Sequence, residues 1–419
     1  MEQGQGAERT APAGLRTGAG LRHGCMRLLP PFLLMLALAA PAQASDDGPL
    51  EVTQRTMHWQ GATESGSDAW YRDNWAKGSI VMPYVTSSRK DVAARINDEL
   101  YMGLIGIPAP SAAGANFELT IPADDSALVG TSSLEFELAR DDEHIFSVAV
   151  TQEGCGAYCE NYTTHYHFDA TTGRPFAAAE VITSAGKKDI VKRMDREALG
   201  QYRKMLKTLQ ADLALQLKTG KPSQPGGSVD DTRDRIELNE HCLQEVLERQ
   251  QDSSRNLDED FRYLAMAIPD DKGVSFRHER CSNHASRALD DVGDVNLPVP
   301  NAQLRGMLTD YGRFLFFGGD RPREALDPFG VFLHGKIGQS PIALRIAVEK
   351  GSQQVSAVYY YDKYRRPIAL TGTADGDRFT LTTSKTDKDA ETFELVRHGS
   401  TLAGQWHKGN ALQPVSVGP

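Results

Sequence analysis

The alternation of apolar and polar residues divides the chain into two regions of different rhythm. In the first, short alternating runs are mixed with helical ones. Residues 78–84 read as a strand, and Val92, Ile96, Leu100 and Leu104 recur at helical spacing, which predicts a helix over 90–104. Residues 134–139 and 144–152 alternate like two antiparallel strands joined by the acidic turn Asp141-Asp142-Glu143. A further strand is expected over 162–169, closed by a turn at Thr171-Thr172-Gly173-Arg174 in which Gly173 can take a positive φ. Residues 189–217 read as one long helix or two. The breaker-rich stretch 219–229 reads as an exposed loop and 238–249 as a helix. A strand pair over 261–268 and 273–277 and a short helix within 298–308 complete this region.

Beyond residue 325 the rhythm changes. Seven short runs (330–336, 342–349, 356–362, 367–374, 378–384, 391–397 and 401–407) each suit a strand, with turn signals every 8–12 residues. The expected fold class is therefore an α+β N-terminal domain, an antiparallel sheet with helices, followed by an all-β antiparallel meander or small barrel. The expected division is a leader at 1–44, an α+β domain at 45–325 and a β domain at 326–419.

The leader sets the compartment. Met26-Arg27 precedes an apolar run over 28–41, which ends in Ala42-Gln43-Ala44, a small-x-small cleavage site. The run is too short to span a membrane, which takes about 20 residues. Met26 is the expected first residue, and residues 1–25 are unpatterned. Export and cleavage would give a periplasmic or secreted protein without stable membrane insertion. The whole chain carries a net charge of −10, and removing the leader makes the balance more acidic. That disfavours nucleic acid and anionic membrane surfaces as partners, since both need basic patches.

Four cysteines follow the leader: Cys155, Cys159, Cys242 and Cys281. In an oxidising compartment an even number predicts two disulfides; of the three possible pairings the favoured one is Cys155–Cys159 across a short loop with Cys242–Cys281 across a long one. The histidines His278 and His284 flank Cys281 at zinc-like spacing, but thiols that oxidise favour the bridge. His165, His167 and Asp169 fall at alternate positions, so on a strand they share a face and form a candidate metal set. The competing role for Asp169 is to cap the turn that follows it. No Gly-x-Ser-x-Gly elbow or phosphate loop is present, and Ser282-Asn283-His284 is a polar loop without nucleophile context. No catalytic residue and no cofactor is assigned. Tyr359, Tyr361, Tyr364 and Trp406 are candidates for a ligand surface in the β region, with core packing as the alternative.

The run Cys155-Gly-Ala-Tyr-Cys159-Glu, then Tyr166-His167-Phe168-Asp169, then Thr172-Gly173-Arg174-Pro175 resembles bacterial envelope domains of the DUF3298/DUF4163 type. So does the upstream segment that includes Ala93 and Arg95-Ile96-Asn97-Asp98-Glu99-Leu100. Domains of this type occur in a lysozyme-binding anti-sigma factor and beside deacetylase domains in cell-wall enzymes. The resemblance covers about residues 75–315. The Gly-Ala-His-Gly tetrad of the family is replaced here by the 155–159 loop, and the anti-sigma role does not transfer. The C-terminal region, with Gly335-Lys336-Ile337-Gly338, Val358-Tyr359-Tyr360-Tyr361 and Gly404-Gln405-Trp406, resembles a lipocalin-like sheet of bacterial secreted proteins. Together these imply a non-enzymatic envelope binding module whose partner is an envelope protein or a cell-wall glycan. The alternative is a cell-wall hydrolase, metal-dependent through His165, His167 and Asp169.

Overall fold

The computed structural model describes residues 50–61, 77–110, 117–121, 128, 131–155, 159–221, 227–283, 285–322, 328–348, 353–384 and 390–418. The expected leader, the start at Met26 and the expected boundary near 325 lie outside these residues.

The α+β region is built on a six-stranded sheet. Its strands are β1 (Glu51–Gly61), β2 (Lys77–Thr86), β3 (Phe117–Ile121), β4 (Thr131–Asp141), β5 (Ile145–Cys155) and β6 (Cys159–Asp169), in the order β3-β1-β2-β4-β5-β6. The expected pair β4–β5 is antiparallel and β6 pairs antiparallel with β5, but β1–β3 and β2–β4 pair in parallel, so the sheet is mixed. Parallel neighbours need a crossover, and helix α1 (Lys90–Ile105) lies in the one between β2 and β4. Its apolar residues Val92, Ile96, Leu100 and Leu104 pack with Met57, Ile80, Leu134 and Phe168 of the sheet.

A second layer is formed by α2 (Ser184–Thr219) and α3 (Val229–Gln251), an antiparallel pair. The 36-residue α2 is a single helix. Thr183 caps its start by accepting the Gly186 N–H at 3.1 Å, and Gly220 closes it in the left-handed region at φ 66°. Ile190, Met194, Ala198, Tyr202, Leu206 and Leu209 bury one stripe at helical spacing. Its residues from Ile190 to Tyr202 join a core with Cys242 and Val246 of α3, the small sheet β7 (Ala265–Ala267), β8 (Gly273–His278) and β9 (Val295–Pro300), and α4 (Asp310–Phe317).

The C-terminal strands close into an eight-stranded antiparallel barrel in which each strand pairs with its neighbour in sequence. They are β10 (Phe332–Ile337), β11 (Ser340–Val348), β12 (Gln354–Tyr361), β13 (Ile368–Asp375), β14 (Arg378–Thr382), β15 (Glu391–His398), β16 (Thr401–Lys408) and β17 (Ala411–Gly418). Seven of these follow the expected runs. The eighth, β17, pairs with both β16 and β10 and shuts the barrel. The interior is filled by Leu333, Ile342, Leu344, Ile346, Tyr359, Leu381, Phe393, Leu395 and Leu402, among others.

Sheet and barrel meet through α1. Asp98 accepts the Tyr360 hydroxyl at 2.5 Å and pairs with the Arg365 guanidinium, whose Nε donates to the Ala109 carbonyl at 2.7 Å. Glu99 accepts the Phe332 backbone N–H and faces Arg345 at 3.8 Å. Burial pushes both carboxyls up, Glu99 to about 7, while Arg365 and Arg345 pull them down. Phe332, Ala343 and Tyr360 form a small apolar cluster at the same junction, with Met102 of α1 against it.

Candidate ligand groove

Strand β6 carries the candidate metal set, and the structure assigns two of its three members to hydrogen bonding. The His167 ring stacks on His165 with planes 8° apart and centroids 6.3 Å apart. His167 Nε2 lies 2.9 Å from the Met266 carbonyl, and its Nδ1 lies 2.8 Å from Ser147 Oγ. A carbonyl only accepts, so Nε2 carries the proton and Nδ1 accepts from the serine. Burial holds this ring neutral, with its pKa pushed down to about 4. Asp169 is fully buried. It accepts the Thr171 N–H at 2.9 Å and the Thr171 and Tyr311 hydroxyls at 2.6 and 3.2 Å, and it pairs with Arg321. The carboxylate thus caps the turn and anchors the chain that leaves α4. Gly173 completes that turn at φ 76°, where a Cβ would sit 2.5 Å from the Val92 carbonyl of α1. Among the described residues no three His, Cys, Asp or Glu side chains gather as a metal set.

The cysteines act as cross-links. Cys242 of α3 is bonded to Cys281 with Cα atoms 5.8 Å apart, which removes Cys281 from the zinc reading. Cys159 is disulfide-bonded and faces Cys155 in the β5–β6 register; the Cys155 side chain and residues 156–158 lie outside the described residues, as does His284.

His165 stands apart from its neighbours on β6. Its Nδ1 is buried with no hydrogen-bond partner among the described residues, and His165 lines a polar cavity of about 610 Å³. One wall of this cavity is the start of β6, with Asn161, Tyr162 and Thr163. The other is the end of β8 and the segment 279–294, with Arg277, Arg280, Ser282, Asn283 and Arg287. The segment is held in several ways. The Arg280 and Ser282 backbone N–H groups donate to Asp294 and Asp290 at 3.1 and 3.3 Å, and the Cys242–Cys281 bridge ties it to α3. The two walls are joined by an Arg277 donation to the Thr163 carbonyl at 3.1 Å and by the Arg287–Glu160 ion pair.

Ser282 is 9% exposed and its hydroxyl has no partner among the described residues. Tyr162, at 53%, leaves its ring open beside the cavity. A second cavity of about 640 Å³ adjoins the first, with Glu279 and Arg280 as common wall. It is lined further by Arg249, Arg255, His278 and the exposed Tyr263. The two together make a groove lined by planar hydrogen-bonding groups, with an exposed tyrosine ring in the lining of each part.

The aromatic candidates of the barrel separate. Tyr359 is fully buried against Phe393, and Trp406 is inside with its Nε1 3.3 Å from Glu391 Oε2, so both are core residues. Tyr361 is half-buried at the barrel end, and Tyr364 is exposed beside it at 6.2 Å. Of the four candidates, that pair remains open to a ligand.

No protein-family model matches the chain, and no curated protein matches it. Among solved structures it is similar to a crystal structure of a member of the DUF3298 family from Bacteroides fragilis. The identity is 11% and the TM-score 0.36, over 65% of this chain and 100% of that one. That neighbour bears the family designation which the residue motifs resemble; at this score the likeness carries nothing about the site. Among the described residues no helix is long and apolar enough to cross a membrane.

Proposed function

We propose that this protein is a non-enzymatic binding protein of the bacterial envelope, working outside the cytoplasm, and that it holds a cell-wall glycan in the groove between β6 and the segment 279–294. The observation that carries the reading is the pair of buried polar atoms, Ser282 Oγ and His165 Nδ1, left without partners in the wall of a cavity beside the open Tyr162 ring. Buried polar atoms are almost always satisfied, and each orphan costs about 1–3 kcal/mol. A ligand rich in hydroxyls and amides supplies the missing partners, and a sugar face stacks on an open tyrosine ring. Asparagine, arginine and carboxylate side chains present paired donors and acceptors that match neighbouring hydroxyls. Among the described residues Ser282 Oγ has no base within hydrogen-bond reach, so it is not activated as a nucleophile. The extracytoplasmic setting rests on the leader and fits the Cys242–Cys281 bridge.

The test is a calorimetric titration of the oxidised protein with soluble cell-wall glycan fragments. Binding without turnover is expected, weakened about 10-fold by Tyr162→Ala. Turnover that a single groove substitution abolishes, or an unchanged affinity in Tyr162→Ala, would overturn the reading.

A further inference from the structure

The arginines of the groove are not equivalent. Arg255 meets Asp195 at 2.6 Å and also Asp260. Arg277 and Arg280 share Asp294 at 3.7 and 3.6 Å, and Arg287 pairs with Glu160. Among the described residues Arg249 has no carboxylate partner. Its Nη1 donates to His278 Nε2 at 3.3 Å, and its Nε is buried with no partner. The geometry at His278 fixes the direction of that bond: Nδ1 lies 2.7 Å from the Glu279 carbonyl, which only accepts, so Nδ1 holds the proton and Nε2 receives from Arg249. The histidine therefore orients the guanidinium and leaves its charge unneutralised. A partly buried cation without a counter-ion is costly, and a guanidinium offers carboxylates a forked pair of donors. The same cavity carries the open Tyr263 ring, 74% exposed, and Leu264, a surface suited to the flat face of a sugar.

We propose that this second cavity is the subsite for an acidic sugar, with Arg249 receiving its carboxylate and Tyr263 covering its ring. This rests on the groove being a glycan site and names the part of the glycan that gives it specificity: a carboxylate-bearing sugar, placed next to a neutral sugar on the Tyr162 side.

The experiment uses the full oxidised chain and two probes. One is a disaccharide of N-acetylglucosamine and N-acetylmuramic acid; the other is the same disaccharide with its carboxyl converted to the methyl amide. The acid is expected to bind about 10- to 100-fold more tightly than the amide, the range for a charge-assisted pair. Arg249→Gln is expected to erase that preference, so that acid and amide bind alike, with Arg249→Lys between. Equal binding of acid and amide to the unaltered protein, both weakened by Tyr162→Ala, would sink the acidic subsite and leave the glycan groove standing. Binding of neither probe would remove both. The acid–amide comparison needs no substitution, so a variant that fails to fold does not blunt it.

Discussion

Replacing Asp98 with alanine tests how the barrel is attached. Asp98 is 2% exposed and serves two donors from the barrel, the Tyr360 hydroxyl and the Arg365 guanidinium. Removing it leaves a fully buried phenol without an acceptor, at a cost of about 1–3 kcal/mol. It also breaks a buried ion pair, which typically costs about 3–5 kcal/mol. Arg365 is 23% exposed and keeps its bond to Ala109, so water and the carbonyl recover part of that second loss. The two contributions overlap in one network, and the expected destabilisation is about 3–4 kcal/mol. Urea unfolding followed by circular dichroism measures it. The diagnostic partner is Tyr360→Phe, which deletes the hydroxyl and keeps the packing. In the Asp98→Ala background this second change should restore stability, because it removes the orphaned group. If Asp98→Ala lowers stability by less than about 1 kcal/mol, or if Tyr360→Phe costs the same in both backgrounds, the junction is not held by this network.

Three further outcomes are expected. Buried Glu99 keeps its proton to about pH 7 when folded but only to about 4.5 when unfolded, so its contribution to stability falls as pH rises through that window; buried His167 and half-buried His334, their pKa values pushed down to about 4 by desolvation, act oppositely and cost stability as pH drops from 6.5 towards 4. Because Glu99 offsets the histidines, Glu99→Gln should steepen the loss of urea midpoint below pH 6.5, and an unchanged slope counts against this assignment. Gly173→Ala places a Cβ against the Val92 carbonyl at a positive φ and should destabilise by at least about 1–3 kcal/mol, read as a lower melting temperature; wild-type melting would contradict the turn geometry. Cys242→Ser opens a loop of 39 residues and should cost up to about 4 kcal/mol, with faster amide exchange across 279–294; unaltered exchange there would show that the bridge does not hold the groove wall.

Much of the architecture is legible in the sequence because period and turn chemistry are local signals. The barrel strands, α1, the β4–β5–β6 meander and the Cys242–Cys281 bridge can all be read this way. β17 escapes because Pro414 and a polar outer face mask an alternation of only two buried residues, Val415 and Val417. β9 escapes for a related reason: Val295, Leu297 and Val299 alternate cleanly, but Pro298 and Pro300 suggest the approach to a helix. Asp98 and Glu99 look like ordinary helix-surface acids, and only the barrel, far along the chain, gives them donors. Their position directly between Ile96 and Leu100 was the available signal. The groove is the least legible element. Its arginines resemble surface charge, and its two walls come from residues near 160 and near 280, which no local motif connects.

The closure of the barrel by β17 has a consequence for handling the protein. Gly335 is paired with Val417, so the first and last staves are joined directly. A chain truncated before Ala411 would leave β10 and β16 with bare backbone donors and acceptors, a template for edge-to-edge association with another copy. Proteolytic trimming or a bulky fusion at this end would therefore show itself first as oligomers in size-exclusion chromatography, before any loss in the groove.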